Sequence, residues 1–151
     1  MNKKILYIDM DNVLVDFSSG IAKISDDLKH EYNDRLDEVP GIFDLMDPMP
    51  GAIEAYKKLS TLFDTYILST APWKNPSAWQ HKLEWVHKYL HDEAYKRLIL
   101  AHHKNLLRGD YLIDDREKNG AKEFEGQLIL FGSEQFPDWS HVLTYLKEKE
   151  Q

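Results

Sequence analysis

Five short apolar runs, at residues 4–9, 65–70, 97–101, 110–113 and 127–131, alternate with stretches of helical period. No other feature constrains the fold as strongly. Apolar runs bounded by polar residues suit strands buried on both faces of a sheet. Ile53, Tyr56, Leu59 and Phe63 recur at helical spacing after Pro50-Gly51. Trp79, Leu83, Val86 and Leu90 do so after Asn75-Pro76, a pair that reads as a cap and a first helical residue. Pro137 opens a last helix, with Trp139, Val142, Leu143 and Leu146 on its apolar side. Strands alternating with helices predict an α/β fold with a doubly wound, mostly parallel five-stranded sheet, in one domain over residues 1–151.

The stretch from about 18 to 50 breaks this rhythm. It carries one amphipathic pattern (Ile21, Ile24, Leu28, Tyr32), the acids Asp34, Asp37 and Glu38, and the segment "VPGIFDLMDPMPG". We read it as a small helical cap inserted after the first strand, because long structureless connections in compact domains are usually functional or disordered. An ordinary crossover with a long loop is the alternative.

The formal net charge of −7 argues against nucleic-acid polymers and anionic membranes as partners. A small phosphorylated substrate fits if local cations offset the acids. No apolar stretch approaches the roughly 20 residues that a membrane span needs. The opening "MNKKILYIDMD" does not read as a secretory leader, since acids interrupt its short apolar run. Cysteine is absent, which excludes thiol catalysis and suits a reducing cytoplasm, the expected location.

In an open parallel sheet, ligands bind outside the carboxyl ends of the strands. Here those ends carry Asp9-Met10-Asp11, Ser69-Thr70, His102-His103-Lys104 and Asp114-Asp115-Arg116. Four carboxylates on one edge repel strongly, by roughly 4 kcal/mol per pair at 4 Å and an effective dielectric of 20. A divalent cation with oxygen ligands resolves this, and Mg²⁺ suits few carboxylates plus substrate phosphate oxygens. Asp9 and Asp11 are i and i+2 on an extended segment, so they share a face within roughly 7 Å. That spacing suits two acids flanking one phosphorus, with Ser69, Thr70 and Lys104 free to hold phosphate.

The order "DMDNVLVDF", "ILST", a lysine and "YLIDDR" resembles the haloacid dehalogenase superfamily of phosphotransferases. "DPMPGAIEAYKKL", "KLEWVHKYL" and "LIDDR" make the chain similar to the 5′(3′)-deoxyribonucleotidases of the cytosolic and mitochondrial type. The resemblance implies an Mg²⁺-dependent phosphomonoesterase acting on nucleoside monophosphates. It makes Asp9 the nucleophile that forms an aspartyl-phosphate and Asp11 the acid and then base. Metal binding falls to Asp9, the Asp11 carbonyl and Asp115, with Asp114 behind it. Ser69 or Thr70 and Lys104 hold the phosphoryl group, and Phe17 meets the base. Asn12 stands where much of the superfamily has Gly, and Asn tolerates unusual backbone angles well. His102-His103 stand where relatives carry Arg-Asp.

Other readings stay open at this point. The substrate could be another small phosphate ester such as a sugar phosphate, or the domain could bind phosphate without turnover. Asp11 favours turnover, since a domain that only binds phosphate has no need of an acid there. Trp79, Trp85 and Trp139 read as packing residues, whereas Trp73 follows the Ser69-Thr70 loop and is placed to touch substrate. Phe43, Met46 and Met49 read as packing of the insert more than as contacts to a base, although the insert's apolar content (Ile42, Phe43, Leu45, Met46, Met49) also suits a base better than a sugar. The oligomeric state is not legible.

Overall fold

A computed structural model describes residues 2–150. Strands β1 (Ile5–Ile8), β4 (Asp64–Ser69), β5 (Leu98–Leu100), β6 (Tyr111–Asp114) and β7 (Gln127–Leu130) match the five expected runs to within one residue at each end. They form one parallel sheet in the order β5-β4-β1-β6-β7. The short strands β2 (Val15–Asp16) and β3 (Asp47–Pro48) pair antiparallel in a separate ribbon. The helices are α1 (Phe17–Ile21), α2 (Asp26–Glu31), α3 (Ala52–Leu62), α4 (Pro76–Tyr89) and α5 (Trp139–Glu150).

Side chains alternate across a strand, so each run serves two cores. Leu6, Ile8, Ile67, Ile113 and Ile129 face the larger core, against residues of α3, α4 and α5. Tyr7, Leu68 and Leu112 face the other side. No long helix covers that second face among the described residues. Ala121 and Phe124 close it from the turn-rich stretch before β7, with Leu107 packed alongside, and Phe124 meets the Tyr7 ring edge-on at 5.9 Å. Large rings do there what a helix does on the first face.

The insert departs from the expected single helix. Ser25 interrupts it: its hydroxyl accepts from the Leu28 amide at 3.2 Å, and Asp26 and Asp27 follow in the first turn. A cap and two acids start a new helix at that point, so the apolar pattern is shared between α1 and α2. The segment leaves and returns through the β2–β3 ribbon. Its Val39, Ile42, Phe43 and Met46 are buried in the main core. An added Cβ on Gly20 would lie 2.8 Å from Met46 Cγ, so this close packing requires the glycine.

Asn75 and Pro76 take the cap and first helical positions of α4 as expected, although the Asn75 side chain makes no hydrogen bond to the helix amides. The amide instead donates to the Asp37 and Val39 carbonyls at 2.9 and 3.1 Å, tying the insert to the helix start. Leu83 is not on the buried face, being 45% exposed, whereas Lys82 is 1% exposed. The last helix likewise begins two residues after Pro137, where Asp138 accepts from the His141 amide at 3.0 Å.

Candidate active site

β1 lies at the centre of the sheet with β4 and β6 on either side, so the residues following three adjacent strands meet at one edge. The Asp9 amide donates to the Ile113 carbonyl at 2.9 Å and holds the β1 end against β6. Met10 is buried, so its neighbours Asp9 and Asp11 are directed to the opposite side. The chain then turns sharply. The Val13, Leu14 and Val15 amides all donate to the Met10 carbonyl, and Asn12 takes a left-handed φ of 61°. The Asn12 side chain accepts from the Phe17 amide at 3.3 Å. Asn is thus compatible with this turn. A β-branched residue here pays for the left-handed backbone, so Asn12→Val is expected to cost about 1–2 kcal/mol in urea unfolding. Asn12→Gly is expected to fold with near-normal stability.

Asp9, Asp114 and Asp115 each offer a carboxylate oxygen, and these oxygens lie within 4.8 Å of one another. Lys104 reaches into the group, with Nζ 3.1 Å from Asp9 Oδ1 and 2.6 Å from Asp114 Oδ2. Asp9, Lys104 and Asp114 are all buried. Burial pushes the Asp9 carboxyl up to about 7; Lys104 opposes the rise, and Asp114 and Asp11 add to it. Burial and the Asp9 charge also raise Asp115, to about 6. Burial alone would pull the Lys104 ammonium down, but Asp9 and Asp114 outweigh it and the net direction is up. One ammonium is thus paired with two of the three carboxylates, and a divalent cation would balance the negative charge that remains when all three ionise.

A second observation fits the same ion. Asp115 Oδ1 is buried without a hydrogen-bond partner. A buried unpaired carboxylate oxygen is costly, and a ligand position relieves it. The donors are all oxygens, which suits Mg²⁺ rather than a soft metal. His102 and His103 take no part in this group. The His102 ring packs against Trp73 and Trp79 at 5.7 and 5.9 Å between centroids.

The Asp11 carboxylate is held apart from this trio. Its Oδ1 accepts from Lys82 Nζ at 2.9 Å. The same ammonium donates to Ser69 Oγ at 2.9 Å. Lys82 is the residue that sequence reasoning missed. It sits three residues after Trp79 and four before Val86, inside the apolar stripe, and that position was its signal. Thr70 donates its hydroxyl proton to the Ala101 carbonyl at 2.7 Å.

Asp11 and Asp115 open onto a cleft of about 380 Å³ that Asn12, Phe17, Asn33, Asp37 and Arg116 also line. Phe17 is half-buried and meets Phe43 edge-on at 5.8 Å. Phe43 itself is buried, as are Ile42 and Met46, so Phe43 supports the Phe17 wall from behind and these residues pack the insert, as the sequence favoured, without presenting a surface to a base. A larger cleft of about 660 Å³ lies near Lys3, Asp64 and Arg97, at the opposite ends of the strands, away from the acids. Trp73 is 79% exposed outside the acid-lined cleft.

Known proteins resemble this chain along most of its length. Residues 26–144 match the family model described as 5′ nucleotidase, deoxy (pyrimidine), cytosolic type C protein. A protein of Vibrio phage KVP40 assigned as a 5′(3′)-deoxyribonucleotidase is 59% identical, over 99% of this chain and 88% of its own. The chain belongs to the 5′(3′)-deoxyribonucleotidase family. It is a phosphate-ester hydrolase with the haloacid dehalogenase fold. The human 5′(3′)-deoxyribonucleotidase of cytosolic type is 26% identical over 90% of this chain and 77% of its own. A haloacid-dehalogenase-type hydrolase of Bacillus subtilis, solved with magnesium bound, shares the fold with a TM-score of 0.69 at 11% identity, covering 97% of this chain and 99% of that one. Among the described residues, no helix is long and apolar enough to cross a membrane.

Proposed function

We propose that this nucleotidase-family protein is an Mg²⁺-dependent phosphomonoesterase that hydrolyses deoxynucleoside monophosphates through an aspartyl-phosphate on Asp9. The observation that carries the reading is the separation of two carboxylates at one strand end. Asp9 joins the acidic trio around Lys104, while Asp11 is turned to Lys82. A nucleophile and an acid/base need different surroundings, and this division supplies them.

In the first step an Asp9 oxygen attacks phosphorus and the bond to the leaving oxygen breaks. Asp11 gives that oxygen a proton. In the second step water attacks phosphorus, the bond to Asp9 breaks, and the water proton passes to Asp11. Splitting the hydrolysis this way makes each barrier lower. Lys104 offsets the charge of Asp9 and stabilises charge on the phosphoryl oxygens. Ser69 is the better hydroxyl donor of its pair, since the Thr70 proton is committed to Ala101. Asp9 and Asp115, backed by Asp114 and joined by the Asp11 carbonyl, would hold Mg²⁺. When bound, the ion supplies charge neutralisation between the acids and an anionic phosphate.

The segment at about 18–50 acts in this reading as a small cap, supplying Asn33, Asp37 and, at its base, Phe17 to the cleft. Phe17 offers a ring for base stacking, worth roughly 1–3 kcal/mol and tolerant of several bases. A specific observation favours a second substrate class. The cleft lining is mostly polar, with Asn12, Asn33, Asp34, Asp37 and Arg116, as a sugar phosphate would need. The deciding measurement is kcat/KM on deoxynucleotides and on sugar phosphates, for wild type and Phe17→Ala. Stacking predicts a loss of roughly 5- to 150-fold on deoxynucleotides, the fold-change equivalent of that energy, and little change on small phosphate esters. Equal losses, or better wild-type turnover of sugar phosphates, would assign the second class. The absence of cysteine and the cytosolic type of the human relative support a cytoplasmic setting.

A further inference from the structure

We propose that Lys82 is the positioning residue for Asp11, fixing which carboxylate oxygen moves the proton. The inference rests on Asp11 being the acid/base, and it adds a residue to that reading. Lys82 leaves the middle of α4 and is 1% exposed. An ammonium this deep is retained only where its charge and its protons are matched. Two partners match it, Asp11 Oδ1 and Ser69 Oγ, both at 2.9 Å. The buried Phe43 ring faces the ammonium at 4.6 Å, a cation–π distance.

The two contacts have distinct consequences. Asp11 Oδ1 is engaged by Lys82, which fixes the rotation of the carboxyl group and leaves Oδ2 to exchange the proton. Oδ2 takes a proton from the monoanionic phosphate ester as it binds and in the first step passes it to the leaving oxygen as the phosphorus–oxygen bond breaks. In the second step a water proton goes to Oδ2 and is then lost to the departing phosphate, so Asp11 ends ionised as it began. The Ser69 hydroxyl accepts from Lys82 through a lone pair, and its own proton is left to donate to the phosphoryl group. The two buried lysines thus divide the site: Lys104 serves the nucleophile and Lys82 serves the acid/base. Phe43 extends the arrangement to the insert, because its ring touches both the ammonium and Phe17.

The test compares two leaving groups in rapid-mixing kinetics. p-Nitrophenolate leaves without a proton, whereas a nucleoside alkoxide needs one. In Lys82→Met, the first-step rate with p-nitrophenyl phosphate is expected to stay within about threefold of wild type. Nucleoside release from a deoxynucleotide in a single turnover is expected to fall by roughly 10² or more, as for loss of a general acid. The Ser69 contact should appear as an equal rise in KM for both substrates. The p-nitrophenolate burst amplitude counts folded sites, so misfolding is scored directly. Lys82→Gln, which keeps an N–H donor without the charge, should recover part of the nucleotide rate. In an Asp11→Asn background, Lys82→Met should cost no further nucleotide rate. Equal first-step losses on both substrates, or a further large loss in the Asp11→Asn background, would overturn the proposal. If Asp11→Asn alone keeps its nucleotide turnover, the acid/base reading fails, and the role of Lys82 fails with it. If wild type cleaves p-nitrophenyl phosphate but no nucleotide, only the substrate reading fails, and the comparison is made on the alkyl phosphate that it does cleave.

Discussion

Asp9→Asn is expected to lower phosphate release by roughly 10⁴-fold or more while the protein remains folded, because an amide of almost the same shape cannot attack phosphorus. Retained turnover would remove Asp9 as nucleophile. The same variant tests the electrostatics independently of activity. In the folded protein the Asp9 carboxyl is raised to about 7 and Asp115 to about 6, against about 3.9 for a carboxyl in an unfolded chain. The native state therefore binds more protons than the unfolded state between those values, and stability contributed by these groups falls as pH rises from about 4 to about 7. Without added metal, urea unfolding of wild type should show this decline, and Asp9→Asn should flatten it. An unchanged slope in Asp9→Asn would mean that Asp9 stays ionised throughout, with Lys104 compensating it fully.

Removal of divalent metal is the second large effect. Chelation is expected to abolish turnover, and Mg²⁺ to restore it. Added Mg²⁺ at about 100 times its dissociation constant should also stabilise the fold by about 2.7 kcal/mol. For a domain of this size that is an upward shift in Tm of about 5–10 °C. The shift should be largest near neutral pH, where the three carboxylates most need a counter-charge, and should shrink in Asp115→Asn. Full activity in exhaustive chelator, or restoration by Zn²⁺ alone, would contradict the all-oxygen site.

The sequence by itself determined the sheet and the acids. Each of the five strands is a local run whose length and flanks are legible without knowing its neighbours. Asp9, Asp11, Lys104, Asp114 and Asp115 stand within a few residues of those strand ends, so a parallel sheet brings them to one edge whatever the intervening loops do. The turn at Asn12 was equally local, since left-handed tolerance is a property of the residue itself. Only the tertiary structure decided what faces what. A lysine in an apolar helical stripe is an error in the pattern until Asp11 and Ser69 are seen opposite it. Ser69 and Thr70 are interchangeable as letters, and the Ala101 carbonyl, just past the end of the neighbouring strand β5, tells them apart. Phe43 and Met46 read as packing residues of the insert, and the structure shows what they pack against, because the insert folds back through the β2–β3 ribbon and buries them in the main core. Periodicity reports which side of an element is apolar. Which buried charge is paired, and with what, depends on groups as far as 95 residues away along the chain, and only the packed fold brings them together.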